Sequence, residues 1–381
     1  MQISSAITDL IRERIGPRVL RAKLAAEDDA RLMREVGDTS RNAAQAAERA
    51  DLVSASRIGA VDADSTAGST LVPRPVEPVE DPATLIERRS AELGLRTPSQ
   101  RALESSLFID EPLHRTALVS GHPTPELMFG ESDWAGYLDA RAFTRSYGDQ
   151  ELSVRFMTEI NQRAGQFGPQ DSGVFAEGTR WAVLGRPLTA EEAHTVEANP
   201  HLLHIEPGTP PLGNMSAVSY ERKDAAAIRN ELQSLSDWYN NARGAPGTDP
   251  YRLAAELQQR FVSIHPFTDY NGRSSRLLMN WALEREGLSP SVLPNFDRDI
   301  LATSDEWAET VRAGSRTFAE RADRLDRLGA SADPVEIFGL QRLRALYNGH
   351  SGYIAPLRAG DDHDIYSVQK FLDVLEAGDK S

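Results

Sequence analysis

The chain has 381 residues, 40% of them hydrophobic, with 42 basic against 57 acidic side chains and a formal charge of −15, enough chain and apolar surface for one large or two modest domains. It contains no cysteine, which excludes a disulfide scaffold, thiolate metal sites and a cysteine nucleophile. A pI near 5.1 speaks against broad binding to nucleic acid, which needs a basic surface; no apolar run approaches a membrane span; and the start, MQISSAITDLIRERIG, lacks the basic and unbroken apolar regions of a secretory signal.

The first fifty residues read as amphipathic helices. Ile3, Ile7, Leu10 and Ile11 share a face until Gly16-Pro17 breaks the run, and Val19, Leu20, Leu24 and Leu32 continue a weaker stripe. Residues 54–83 are poor in large apolar side chains, and the alternating prolines of PRPVEPVEDP bar a helix or central strand, so this stretch is expected to be a linker. Leu152, Phe156 and Ile160 then space a helix after Asp149. Residues 174–218 break the helical pattern: VFAEGTRWAVLGR predicts a short strand, and EPGTPPLGNMS an exposed loop or hairpin. Ile228, Leu232, Leu235 and Trp238 predict a helix over about 223–241, and Tyr251, Ala254, Leu257 and Phe261 one running into His265. After Gly272 another helix carries Leu277, Leu278 and Trp281 and stops at Gly287. Further helices are predicted near 304–325, 334–347 and 365–377, the last with Asp364 as N-cap. There is no internal repeat.

One segment concentrates chemistry: Ile264-His265-Pro266-Phe267-Thr268-Asp269-Tyr270-Asn271-Gly272-Arg273-Ser274-Ser275-Arg276. It predicts a helix, a tight loop and a second helix whose first N–H groups face the loop, an arrangement suited to an anion. Arg273 and Arg276 lie three apart on one helical face, at the helix end where the dipole disfavours cations unless an anion is present. A polyphosphate would satisfy both through bidentate contacts. Beside a phosphate the carboxylate of Asp269 is best explained by Mg²⁺, and His265 is the one side chain here suited to taking a proton near neutral pH. An ordinary helix–turn–helix elbow would account for any one of these residues, but not for all of them within twelve positions. No Walker loop, G-x-S-x-G or G-x-G-x-x-G occurs, so other nucleotide and hydrolase chemistries have no anchor.

HPFTDYNGRSSR resembles the signature of the Fic family, H-x-F-x-[D/E]-G-N-G-R-x-x-R, at every defined position except Tyr270, which stands where the pattern has glycine. The resemblance extends over about residues 132–325; residues 1–131 and 326–381 resemble nothing we can name. It implies a mainly α fold, a Fic-like helical core with a short β-hairpin flap, and transfer of a nucleotidyl group, most often AMP from ATP, to a Tyr, Thr or Ser hydroxyl of a target protein. Position by position, it makes His265 the general base, Pro266 and Phe267 structural, Asp269 the Mg²⁺ ligand, Asn271, Gly272 and Arg273 the cradle of phosphate oxygens, and Arg276 the contact to the outermost phosphate. Tyrosine at 270 is expected to add bulk beside the nucleotide and to affect the choice of donor, so UTP and CDP-choline stand as other donors, and a degenerate domain that binds without catalysis stands as the other class.

The resemblance further implies a flap that holds the target in extended form, for which 174–218 is the candidate, with an ordinary surface loop as the alternative. Many relatives silence themselves with [S/T]-x-x-x-E-[G/N]; the nearest match, Gly173-Val174-Phe175-Ala176-Glu177-Gly178, lacks the hydroxyl residue. Constitutive activity, or restraint by an antitoxin or a secretion chaperone, in a bacterial effector or toxin acting in the bacterial cytoplasm or after delivery into another cell, is the corresponding expectation. The organisation expected is a helical arm (1–53), a linker (54–83), a helical or irregular pre-core segment (84–131), a catalytic domain (132–325) and a helical extension (326–381). Two weaker signals remain. His201 and His204 could pair on a metal at helical spacing, but Pro200 precedes them and no carboxylate cluster is evident, and Asp361, Asp362, His363 and Asp364 read as a solvated turn capping the last helix.

Overall fold

In the computed structural model the described residues are 80–350, apart from 122–129, 169–171, 177–179, 185, 206–215, 222 and 295–297, together with 368–369, 371–373 and 376. The arm at 1–53, most of the linker and the turn at 361–364 lie outside them.

The chain enters through helix α1 (Pro82–Glu92), begun by Asp81, whose side chain accepts from Thr84 N–H, and by Pro82 in the first turn, where its missing N–H costs nothing. The helix therefore starts two residues inside the stretch read as linker. Helix α2 (Pro98–Ser105) opens on a Thr97–Gln100 capping box, and α3 (Glu111–Ser120) closes on Gly121 at φ 85°. Helices α4 (Glu131–Tyr147) and α5 (Val154–Ala164, capped by Ser153) follow.

Next comes a small sheet. Strand β1 (Arg180–Leu184) is followed by α6 (Ala190–Ala198), β2 (Leu202–Ile205) and β3 (Ser216–Tyr220). All pairings are antiparallel in the order β1-β3-β2, with Ala182 opposite Val218 and His204 also opposite Val218. The expected short strand is present as β1, and β2 and β3 pair antiparallel on either side of 206–215, which lie outside the described residues. His201 and His204 thus flank or lie on a strand, and the helical spacing that would have let them share a metal does not exist.

Helices α7 (Ala225–Arg243) and α8 (Pro250–Ile264) are capped by Asp224 and Asp249, and α9 (Asn271–Glu284) follows the motif loop. The short α10 (Arg298–Leu301) leads to α11 (Ser304–Leu328), opened by a Thr303–Glu306 capping box. Where one helix over 334–347 is predicted there are two, α12 (Pro334–Ile337) and α13 (Gln341–His350), because Gly339 takes φ 68° between them.

Helix α8 is the centre of the core, buried along Leu253–Leu257 and Phe261–Ile264 and packed by α7, α9 and α11. The cluster around it reaches from Leu85 and Ile86 on α1 to Val311 on α11, so the helices before residue 132 belong to the same core. A second cluster joins Leu184, Val196, Leu202, Val218 and Tyr220 of the sheet region to Val262 of α8 and Ile300 and Leu301 of α10. It brings the end of β3 against the C-terminus of α8, where the motif begins.

Candidate functional site

Helix α8 ends at His265, which takes φ 49° and whose N–H still reaches Phe261 O; Pro266 then forbids continuation. The loop that follows is held on three sides. Phe267 is fully buried and bridged antiparallel to Phe175, with Ala176 N–H donating to Pro266 O at 2.8 Å and Thr268 N–H to Val174 O at 3.1 Å. Asn271 closes the loop from inside: its Oδ1 accepts from Phe267 N–H at 3.0 Å and its Nδ2 donates to Phe267 O at 2.8 Å. Asn161 of α5, wholly buried, donates to Asp269 O and Ser274 Oγ and accepts from Gly173 N–H at 2.7 Å. The side chain of Asn271 thus bonds the loop's own backbone through both of its polar atoms. Asn161 was not singled out in the sequence, where its sole signal is a polar residue on the buried face of an amphipathic helix.

Tyr270 caps α9 at φ 61°, and with His265 it is one of two non-glycine residues at positive φ among those described. Its ring is 7% exposed and turned towards the end of α5, where a Cβ at Gly165 or Gly168 would collide with it. At Gly272 the first turn of α9 is open, with nothing within 4 Å of a Cβ placed there. Burial raises the Tyr270 phenol above its ordinary range, and nearby Asp133 adds to this. Asp269 is exposed, and its Oδ1 accepts from Tyr270 N–H at 2.6 Å. One exposed carboxylate beside a helix N-terminus fits Mg²⁺, an ion that takes one or two carboxylates and completes its shell with water and phosphate oxygens.

The two arginines part ways. Arg273 donates through both terminal nitrogens to Asp133 on α4, at 2.7 and 3.2 Å, and lies over the Tyr270 ring. Arg276 is 7% exposed; burial pulls its pKa down to about 10, against the pull of Asp110, whose Oδ1 stands 3.9 Å from Nη1. It lines a cavity of about 130 Å³ shared with His265 and Gly272, walled further by Tyr220, Gln258 and Asp299, while Arg273 is not among the lining residues. That is room for part of a nucleotide, with a base, an open helix N-terminus and a desolvated cation on its wall. Tyr220, at the end of β3, stacks on the His265 ring with centroids 3.9 Å apart and planes inclined by 24°. This residue, too, was not foreseen, since the contact depends on strand register.

EPGTPPLGNMS is outside the described residues except for Ser216, as are Glu177 and Gly178 of the near-match to the silencing motif. His201 comes together with Glu221 and Glu231, but Lys223 already occupies the middle, with Nζ 2.6 Å from Glu231 and 2.9 Å from His201 Nδ1. An ammonium, not a metal, is the cation there. No helix among the described residues is long and apolar enough to cross a membrane.

With this geometry in place, the comparisons with known proteins agree. Residues 187–283, which include the motif, match the model of the Fic/DOC family. A 70-residue stretch is 44% identical to a uridine 5'-monophosphate transferase of Xanthomonas campestris pv. campestris, covering 17% of this chain and 13% of that protein. A stretch of 96 residues is 36% identical to a Fido domain-containing protein of Dictyostelium discoideum, covering 25% of this chain and 63% of that one. One of 67 residues is 39% identical to the protein adenylyltransferase fic-1 of Caenorhabditis elegans, covering 18% and 13%. The chain spans less than two thirds of the length of each.

Proposed function

The chain carries a Fic/DOC family segment at residues 187–283, and from that premise we propose that it transfers a nucleoside monophosphate, AMP from ATP in the first instance, to a Tyr, Thr or Ser hydroxyl of a target protein. The observation that carries this reading is the buried guanidinium of Arg276 on a cavity it shares with His265 and the open N-terminus of α9. A polyphosphate entering there would meet that guanidinium and the first N–H groups of α9 together.

His265 takes the proton of the attacking hydroxyl as its oxygen bonds to the α-phosphorus, and the bond from that phosphorus to the pyrophosphate breaks. Tyr220 holds the imidazole plane, and the left-handed backbone of His265 aims it across the cavity. Gly272 lets a phosphate approach the first N–H groups of α9 without obstruction. Arg276 binds the distal phosphates and so favours the leaving pyrophosphate. Asp269 would hold Mg²⁺, which supplies charge neutralisation on the phosphates. The flap expected within 174–218 would receive the target main chain along an edge strand, β1 or β2, since β3 is paired on both sides.

UMP from UTP is the second reading, favoured by the 44% identity to a protein named a uridine 5'-monophosphate transferase. The setting we propose is a bacterial effector or toxin, held in the producing cytoplasm by an antitoxin or chaperone or delivered into another cell; the mismatch at Gly173 to the silencing motif supports it.

The test pairs two variants. His265→Ala should lose transfer and keep nucleotide affinity, while Arg276→Ala should weaken affinity for Mg²⁺-nucleotide in calorimetry. Wild-type affinity in Arg276→Ala would refute the cavity as the phosphate site, and nucleotide binding without transfer by the wild type would favour a binding domain.

A further inference from the structure

We propose that Tyr270 is a positioning residue: seated against Gly165 and Gly168, it locks the left-handed entry to α9 and holds Arg273 as a strut to α4, so that the helix N-terminus meets the phosphates in one fixed orientation. The proposal rests on the transferase reading of the same site and assigns residues that the signature leaves without this role.

The backbone poses the problem. Tyr270 is the N-cap of α9 at φ 61°, without a side-chain cap bond, in a conformation that glycine adopts freely and an L side chain rarely. Something must hold it there. The turn after α5, closed by Gly168 N–H donating to Gly165 O at 2.9 Å, supplies the seat. At both glycines a Cβ would run into the ring, at Gly168 into the phenol end. Only the absence of side chains at these two positions admits a tyrosine at 270, and the seated ring in turn fixes the backbone that glycine would leave free.

The outer face of the ring then carries the guanidinium of Arg273, 4.7 Å from its centroid, with Phe108 at 5.5 Å and Asp133 taking both terminal nitrogens. Arg273 lies in the first turn of α9, Asp133 in the first turn of α4, and Phe108 just beyond α2. The lock therefore ties the loop, α4 and α5 to the turn whose N–H groups face the cavity. Arg273 is a strut in this scheme, and phosphate contact falls to Arg276 and the backbone.

The test is a double-mutant cycle of Tyr270→Gly and Gly168→Ala, read by thermal melting and by steady-state transfer with whichever of ATP or UTP the wild type uses. Each single change should lower kcat about tenfold while raising the donor KM less than about threefold, because orientation matters most in the transition state. Tyr270→Phe, which keeps the ring, should restore at least half of wild-type kcat. The double variant should match Tyr270→Gly alone in both readouts, since the methyl added at position 168 has nothing left to strike. Multiplicative losses in the double variant would overturn the seat. Lowered melting with wild-type kcat would overturn the positioning role, as would a Tyr270→Gly variant more active than the wild type. If the wild type transfers nothing, the transferase reading falls instead, the positioning role falls with it, and the melting cycle decides the seat alone.

Discussion

His265 owes its placement to two neighbours that act on different atoms. Phe267 pins the loop below it, and Tyr220 covers its ring from β3. Tyr220→Phe should therefore keep most of the transfer rate, whereas Tyr220→Ala should lower kcat about tenfold with little change in donor affinity, read by steady-state kinetics. Asn271 is a second case in which a motif residue serves the loop. Asn271→Ala leaves the N–H and C=O of Phe267 without their present partners, and at about 1–3 kcal/mol for each buried group the loss should show in urea denaturation. The motif loop was legible in the sequence because its chemistry is concentrated and its spacing fixed. What each side chain points at was not. Tyr270 was expected to crowd the nucleotide, yet its seat is made by glycines far earlier in the chain, and nothing local encodes that pairing.

Elements were legible where local signals agree. Helices α7, α8 and α9 begin and end close to their predicted bounds, because apolar spacing, capping aspartates and Pro266 all mark the same limits. The single helix predicted over 334–347 fails at Gly339, whose positive φ is a tertiary choice. HLLH was open to a helical reading because four residues carry too little period to tell a strand from a helix. Capping accounts for α11 in the same local terms: Thr303 and Glu306 satisfy each other's backbone N–H groups, and hydrogen bonds from Thr303 hold the Glu306 carboxyl below its ordinary range. Thr303→Ala should cost about 1 kcal/mol in chemical denaturation and leave transfer unchanged.

At the scale of the molecule, a buried charge network joins the helices before residue 132 to the motif helix. Arg141 on α4, fully buried, donates to Glu104 of α2 and to both oxygens of Glu284 on α9, and Tyr137 OH donates to Glu104. Removing one partner strands a buried charge, so Glu104→Ala should cost about 3–5 kcal/mol. Burial alone would raise the Glu104 carboxyl, but Arg141 and Arg145 outweigh it and hold it below the ordinary value; Glu111, half-buried, is likewise raised by desolvation but held down chiefly by Arg321. Both therefore contribute their full stabilisation above the ordinary carboxylate pKa and lose it as pH falls through the lowered folded values. Acid titration followed by circular dichroism should show unfolding on that side, with a shallower dependence in Glu104→Gln. The same network sets where the chain can be cut: a protein beginning at Glu80 keeps the capped α1, whereas one beginning at residue 132 loses Glu104 and α1 together and should not fold.

The central claim is that His265 drives transfer of a nucleoside monophosphate from a nucleotide held at Arg276. Its most direct measurement uses ATP and UTP labelled in the α- or the γ-phosphate, incubated with Mg²⁺, bacterial lysate and either the wild type or His265→Ala, with label then followed into protein. The account predicts α-label on protein that appears with the wild type and not with His265→Ala, and no γ-label beyond that of the lysate alone. Equal α-labelling by both proteins, or γ-label on protein dependent on the wild type, would contradict it.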